Sequence, residues 1–189
     1  MSKRGCDLPP ANSAVALMPG RRRRRRSAVF AGAAALAALA LPVLLKPPPR
    51  LVWNASASVP IGLYWVAPQE PVQRGDLVLA TLPRTTRRLA AERGYLPAGV
   101  PVVKRVAAIA DDRVCAIGPD VWIDGRAVAR ALSTDRLGRP LPHWTGCRTL
   151  GASEIFLLVE GVPDSFDGRY FGPIGTDHVI GRLVPLWTR

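Results

Sequence analysis

The segment VWIDGRAV, residues 121–128, has the pattern of a β-hairpin. Two short apolar runs flank Asp124 and Gly125, and an Asp-Gly pair suits the tight turn that joins antiparallel strands. Other short runs bounded by Gly, Pro or Asp predict a mainly antiparallel β domain. They are GLYWVA (62–67), GDLVLATL (75–82), PVVKRVAAI (101–109), RVCAI (113–117), EIFLLVE (154–160) and DHVIGRLVPLW (177–187). The segment RTTRRLAAER, residues 84–93, predicts one short helix that ends at Gly94.

The N-terminal part of the chain has a different composition. Residues 1–26 contain eight Lys and Arg but one Asp, and they end in six consecutive arginines. Residues 28–45 contain no charged side chain, and as a helix they extend about 27 Å, close to the hydrocarbon thickness of a bilayer. Positive residues stay on the cytoplasmic side of a membrane. We therefore predict a basic cytoplasmic tail (1–26), a transmembrane anchor (27–46) and an exported domain (47–189).

Two other interpretations of this N-terminal region stay open. A block of arginines also binds nucleic acids, but a block next to an apolar segment is more often a topology signal, so we expect no nucleic-acid partner. The apolar segment could instead be a cleaved secretory signal, because it contains ALA at residues 38–40. Its length, and the sequence KPPP at residues 46–49, favour an uncut anchor.

The exported domain contains two cysteines and two histidines. An oxidising compartment permits Cys115 and Cys147 to form a disulfide, and the sequence equally allows two separate buried thiols. His143 and His178 are far apart and are not at metal-ligand spacing with the cysteines. We therefore expect neither a metal nor another cofactor.

Lysine is rare in the exported domain. From Pro47 onward the sequence contains sixteen arginines and one lysine, Lys104, in the apolar segment VPVVKRVAAIA. Arginine stays protonated in proteins, whereas a desolvated lysine can act as a base. Ser58, in NASASVPIGLYW (54–65), needs a base to become a nucleophile. Taken separately, Ser58 and Pro60 also fit a loop start, and Lys104 fits a residue at a strand edge.

Three segments in order resemble the blocks of the conjugative-transfer signal peptidases of the plasmid TraF type, a branch of the serine/lysine signal peptidase I (S26) family. They are SASVPIGLYW (56–65), VVKRVAA (102–108) and SFDGRYFGPIG (165–175). The resemblance implies a signal-peptidase-like β domain in which Ser58 is the nucleophile and Lys104 is the general base. It also implies that Asp167 is the functional acidic residue of the last block.

Further roles follow from the same resemblance. Ser165 matches a serine that orients the lysine amine, and Ser56 matches a hydroxyl residue that assists the oxyanion hole. Asp167 and Arg169 could form an ordinary surface ion pair, or the pair could support the local structure near Lys104; the sequence leaves both open. Housekeeping signal peptidases have methionine directly after the nucleophile, whereas this chain has Val59, which fits the conjugative type better.

The function implied is that of a serine endopeptidase in the bacterial inner membrane, with a periplasmic catalytic domain. Its partners would be the lipid bilayer and an exported preprotein such as a prepilin, and the resemblance leaves open whether the product is cyclised. One alternative is a Ser/His/Asp triad with His143 or His178 as its base. Another is a non-enzymatic, membrane-tethered assembly protein whose basic tail recruits a partner.

Overall fold

The computed structural model describes residues 21–45, 48–68 and 71–189. The chain divides between Pro47 and Pro48 into an N-terminal and a C-terminal unit. In the N-terminal unit, helix α1 spans Arg21–Leu45 and so includes the arginine block and most of the predicted anchor. Within the described ranges, no helix has a stretch both long and apolar enough to cross a membrane. The first twenty residues of the predicted tail lie outside the described residues.

The C-terminal unit consists mainly of short β-strands. In chain order these are β1 (Leu51–Asn54), β2 (Gly62–Ala67), β3 (Leu77–Ala80), β4 (Val102–Ala108), β5 (Arg113–Ile117), β6 (Asp120–Ile123), β7 (Arg126–Arg130), β8 (Gly146–Thr149), β9 (Glu154–Leu157), β10 (Ile174–Gly175) and β11 (Val179–Thr188). Helix α2 (Arg84–Glu92) follows β3, helix α3 (Gly168–Phe171) precedes β10, and a 3₁₀ turn (Thr176–His178) leads into β11.

The strands form two antiparallel sheets. One has seven strands in the order β1-β2-β11-β3-β4-β9-β10, and the other has four in the order β7-β6-β5-β8. The prediction of a mainly antiparallel β domain is therefore confirmed. The predicted hairpin joins β6 to β7, and its turn residues Asp124 and Gly125 have φ of 48° and 79°, as a two-residue hairpin turn requires. Helix α2 ends as predicted, with Gly94 in the left-handed region at φ 71°.

Burial alternates along the central strand β4. Val102, Lys104, Val106 and Ala108 are buried, and the residues between them are more exposed. Because successive side chains in a strand point to opposite faces, Lys104 lies on the same face as its apolar neighbours. Val102 and Val106 belong to the main core cluster between the sheet and helix α2. The strand period therefore directs this lysine into the protein interior.

The four-stranded sheet contains a disulfide. Cys115 on β5 and Cys147 on β8 lie directly opposite each other in the strand register, with their Cα atoms 4.0 Å apart. Their sulfur atoms are bonded. Of the two states that the sequence allowed, the structure shows the paired one.

Candidate active site

Ser58 lies in the loop that connects β1 to β2. Strand β1 ends at Asn54, which pairs with Gly62 at the start of β2, so residues 55–61 form a hairpin loop that we call the serine loop. Ser58 is half-buried in this loop, and Ser56 is exposed. The Ser56 and Ser58 hydroxyl oxygens are 3.0 Å apart, and the Ser58 amide donates to Ser56 Oγ at 3.4 Å. The two predicted serines thus form one polar cluster.

Lys104 reaches this cluster from strand β4. Its Nζ lies 3.3 Å from Ser58 Oγ and donates to Ser165 Oγ at 2.7 Å. Lys104 and Ser165 are only 5% and 3% exposed. Lys104 is 46 positions from Ser58 and 61 positions from Ser165 in the chain. The fold therefore brings together three predicted residues that are distant in sequence.

Burial changes the acid–base behaviour of Lys104. Desolvation lowers the pKa of its amine from an ordinary 10.5 to about 8, with smaller opposing effects from Asp167 and Asp164, which raise it, and a further lowering by Arg169. A lysine with a pKa of 8 is neutral in about one molecule in ten at pH 7, against about one in three thousand for an ordinary lysine. Its two close partners are neutral hydroxyls, which can accept from the ammonium or donate to the amine.

Asp167 and Arg169 form a buried ion pair, with exposures of 0% and 3%. Arg169 Nε and Nη2 donate to the two carboxylate oxygens at 2.9 and 2.8 Å. Asp167 also accepts from the amide of Val159 at 3.1 Å, and Arg169 donates to the carbonyl of Val162 at 2.6 Å. The pair therefore ties together the segment that carries Ser165. Of the two interpretations left open by the sequence, an ordinary surface ion pair does not fit this burial.

The histidines lie elsewhere. His178 Nδ1 is 3.1 Å from the Thr81 hydroxyl, and His143 is exposed. The basic nitrogen beside Ser58 Oγ is that of Lys104. The geometry thus favours a lysine over a histidine as the base for Ser58.

Comparison with known proteins identifies the family. Residues 23–187 match the family model described as "Signal peptidase, peptidase S26". The chain belongs to the S26 signal peptidase family. This match covers all six predicted site residues of the chain, which lie between Ser56 and Arg169.

Within the S26 family, this chain is similar to TraF proteins of conjugal transfer. The plasmid transfer protein TraF of Escherichia coli is 37% identical over 145 residues, covering 71% of this chain and 81% of the relative. The probable conjugal transfer protein TraF of Sinorhizobium fredii is 35% identical, with coverages of 71% and 76%. The conjugal transfer protein TraF of Agrobacterium fabrum is 33% identical, with coverages of 71% and 81%. The resemblance to the TraF branch is therefore confirmed.

This S26-family chain also has some similarity to a signal peptidase I of known structure. A crystal structure of a signal peptidase I from Enterococcus faecalis V583 aligns with a TM-score of 0.36 and 19% identity, covering 62% of this chain and 100% of the solved chain. The family assignment rests on the family model and on the TraF relatives.

The structure adds residues to this S26-family site that sequence reasoning did not single out. Asn54 is buried at the end of β1, and its side chain is hydrogen-bonded to the main chain of the serine loop. The Tyr64 hydroxyl donates to the carbonyl of Pro60 in the same loop at 2.6 Å. A polar asparagine next to a serine motif is a weak signal on its own, because asparagine is common wherever a strand enters a loop.

Proposed function

We propose that this S26-family protein is a membrane-anchored serine endopeptidase that removes signal or leader segments from exported preproteins, such as a prepilin of a conjugation system. The observation that carries the proposal is the position of the Lys104 amine, which is buried and lies 3.3 Å from Ser58 Oγ. A serine hydroxyl becomes an effective nucleophile when an adjacent base takes its proton. The TraF relatives, which are described as plasmid or conjugal transfer proteins, support the substrate class.

The proposed reaction has two stages. Neutral Lys104 takes the hydroxyl proton as Ser58 Oγ attacks the scissile carbonyl carbon, and the ammonium then gives that proton to the leaving amine as the peptide bond breaks. The acyl-enzyme is hydrolysed when Lys104 takes a proton from water and the resulting hydroxide attacks the ester. The ester bond then breaks, and the Lys104 ammonium gives the proton it took from water to Ser58 Oγ. Attack by the amino terminus of the substrate, in place of water, would give a cyclic product.

Two donors are available for the oxyanion of the tetrahedral intermediate. The Ser58 amide and the Ser56 hydroxyl contact each other in the serine loop, and both would turn to the substrate oxygen. Loss of one donor of this kind typically costs about 2.7 to 4 kcal/mol in transition-state stabilisation. Ser56→Ala is therefore expected to lower kcat more than it alters KM.

The edge of β4 offers a place for the substrate backbone. Strand β3 pairs with Val102–Arg105 of β4, while on the other side β9 pairs with Val106 and Ala108 and the amide of Leu158, directly after β9, donates to the carbonyl of Arg105. The half of β4 that carries Lys104 is thus beyond the part paired with β9. An extended peptide that adds to this edge by main-chain hydrogen bonds would pass Lys104 and the serine loop.

We also propose that α1 anchors the protein in the bacterial inner membrane, with its N-terminus in the cytoplasm and the catalytic domain in the periplasm. The uncharged sequence of residues 28–45 and the preceding arginines support this topology. The disulfide between Cys115 and Cys147 supports an oxidising compartment for the catalytic domain. Confinement to the membrane that holds a tethered substrate raises the local concentration of the cleavage site.

The outer face of strands β1, β2 and β11 supports the bilayer as a partner. Trp53 and Trp187 stack with ring centroids 5.7 Å apart, and both are about half exposed, as are Leu51 and Leu186. Trp65 pairs with Leu51 in the register and is 40% exposed. Tryptophans of this kind are enriched at membrane–water interfaces, so this face fits the bilayer surface next to the serine loop.

The decisive test is cleavage of a membrane-inserted preprotein with Ala-x-Ala before the scissile bond by full-length protein. Ser58→Ala removes the nucleophile, and Lys104→Arg keeps the positive charge but cannot supply a neutral base. Both variants are expected to be inactive. Arg105→Lys, a reciprocal change at the exposed neighbouring position, is the matched control and should retain activity.

Each result has a clear meaning. Cleavage by Lys104→Arg at the wild-type rate would contradict the proposed mechanism. Absence of cleavage by the wild type, together with normal conjugative transfer in cells that carry Ser58→Ala, would favour the non-enzymatic assembly protein. In that case, deletion of residues 1–20 is expected to abolish function.

A further inference from the structure

We propose that Asn54 is a positioning residue that sets the conformation of the serine loop and thereby the direction of Ser58 Oγ. This inference rests on the proposed function, because its consequence is measured in the reaction of Ser58. Asn54 does not touch the reacting atoms; it acts through the main chain on both sides of Ser58.

The Asn54 side chain is at the centre of the loop's hydrogen bonds. It is 4% exposed, and its Nδ2 donates to the carbonyls of Ser56 at 2.9 Å, Val59 at 3.2 Å and Pro60 at 3.0 Å. Its Oδ1 accepts from the amide of Ser56 at 3.1 Å. One side chain therefore fixes main-chain groups before and after Ser58.

The chemistry of these contacts requires an amide. The Asn54 amide nitrogen donates to three carbonyl oxygens while its oxygen accepts from one amide N–H, and among short neutral side chains only asparagine combines two donor hydrogens with a separate acceptor oxygen. An aspartate of nearly the same shape would direct a charged, acceptor-only carboxylate at three carbonyl oxygens. An alanine would leave loop carbonyls without their partner, and unsatisfied polar groups in a buried position are costly.

The end of the serine loop is fixed independently. The Tyr64 hydroxyl donates to the carbonyl of Pro60 at 2.6 Å. At Gly62, a Cβ atom would lie 2.0 Å from the main-chain oxygen of Trp187, so only glycine allows β11 to approach this closely. The loop therefore has a rigid exit, and Asn54 ties the start of the loop at Ser56 to this exit at Val59 and Pro60.

The position of the serine loop matters because Lys104 lies on a different element, strand β4, and does not move with the loop. Lys104 pairs with Val78 of β3, and Val106, two residues further along β4, pairs with Leu157 of β9. The separation of 3.3 Å between Nζ and Ser58 Oγ is at the long end of a hydrogen bond. A displacement of the nucleophile by about 1 Å can lower a reaction rate by about 100-fold.

The test compares Asn54→Asp with a control that also removes a side-chain hydrogen bond to the main chain. Thr81→Val removes a half-buried hydroxyl whose partners are Nδ1 and the carbonyl of His178, which belong to no part of the proposed site. Full-length proteins in detergent are assayed on an Ala-x-Ala peptide for kcat and KM. A fluorophosphonate reagent gives the second-order rate of Ser58 labelling, and thermal unfolding gives Tm.

We expect Asn54→Asp to lower kcat and the labelling rate by about 100-fold, with KM changed less than threefold. Thr81→Val is expected to lower Tm without a loss of kcat. If Asn54→Asp does not fold, Asn54→Ser is used in its place, because it is neutral and keeps one hydroxyl donor. We expect Asn54→Ser to lower kcat and the labelling rate by at least about tenfold. Wild-type kcat in either folded variant, whatever its Tm, would overturn the positioning role. Failure of the wild type to cleave or label would instead reject the proposed function.

Discussion

Replacement of Lys104 by methionine is expected to change how the stability of the protein depends on pH. Burial lowers the pKa of Lys104 from 10.5 to about 8. Each unit by which the pKa differs between the folded and unfolded states corresponds to about 1.36 kcal/mol of stability. A protonated Lys104 therefore costs the folded state about 3 kcal/mol below pH 8. Methionine has a similar length and carries no charge, so it avoids this cost.

The sign follows from proton binding. Between pH 8 and pH 10.5 the unfolded chain holds the Lys104 proton and the folded protein has lost it, so the free energy of unfolding of the wild type rises with pH in this window. The cost is fully present below pH 8 and absent above pH 10.5. In the methionine variant this contribution is missing at every pH. The variant also loses the hydrogen bond to Ser165, which lowers its stability by about 1 to 3 kcal/mol at both pH values.

The assay is guanidinium unfolding of full-length wild type and Lys104→Met at pH 7 and at pH 10.5. The quantity compared is the difference between the two free energies of unfolding, because the titration of groups that do not interact with Lys104 cancels in it. We expect this difference to shift in favour of the wild type by about 3 kcal/mol from the lower to the higher pH. A difference that stays constant within about 0.5 kcal/mol would show that Lys104 is not desolvated, and it would remove the physical basis for a neutral base.

Three further outcomes follow from the described contacts. Asp167→Asn leaves Arg169 buried without its counter-charge, so we expect a loss of about 3 to 5 kcal/mol in the free energy of unfolding. Because Asp167 raises the pKa of Lys104, the acid limb of the pH profile of kcat/KM should also move to lower pH in this variant. An acid limb at the wild-type position would contradict this expectation. Gly168→Ala should prevent folding or abolish cleavage, because a Cβ atom at this position would lie 2.6 Å from the main-chain oxygen of Leu157. A soluble and active variant would argue against the described packing. Replacement of Cys115 and Cys147 by serine opens a cross-link between residues 32 positions apart, which should lower stability by about 3 to 4 kcal/mol in denaturant unfolding without reducing kcat.

The strands that could be predicted from sequence are those with an uninterrupted apolar pattern. The segments GLYWVA and RVCAI coincide with β2 and β5, and the Asp-Gly pair places the hairpin between β6 and β7. Strand β8 has the sequence GCRT and is exposed along its length. No local pattern marks such a strand, because it exists only through its pairing with β5.

Part of the site could be predicted because a local apolar pattern surrounds Lys104, as it does the predicted strands. The alternation of apolar residues around Lys104 places it on the buried face of β4, but its separation from Ser58 and Ser165 depends on the register of strands that are distant in sequence. The pairing of Cys115 with Cys147 depends likewise on the register of β5 and β8. The role of Asn54 depends on contacts between a side chain and a loop main chain, which no residue spacing encodes.

The buried ion pair explains how Lys104 keeps a low pKa beside an acidic residue. A free carboxylate near the amine would favour its protonated form and oppose the effect of burial. Asp167 raises the pKa of Lys104, and the positive charge of Arg169, which is hydrogen-bonded to Asp167, lowers it. The pair therefore holds the segment that carries Ser165, while its two charges act on the pKa of Lys104 in opposite directions. Apolar residues can often replace a buried ion pair without loss of stability, so we expect this pair to matter more for the position and protonation of Lys104 than for the stability of the fold.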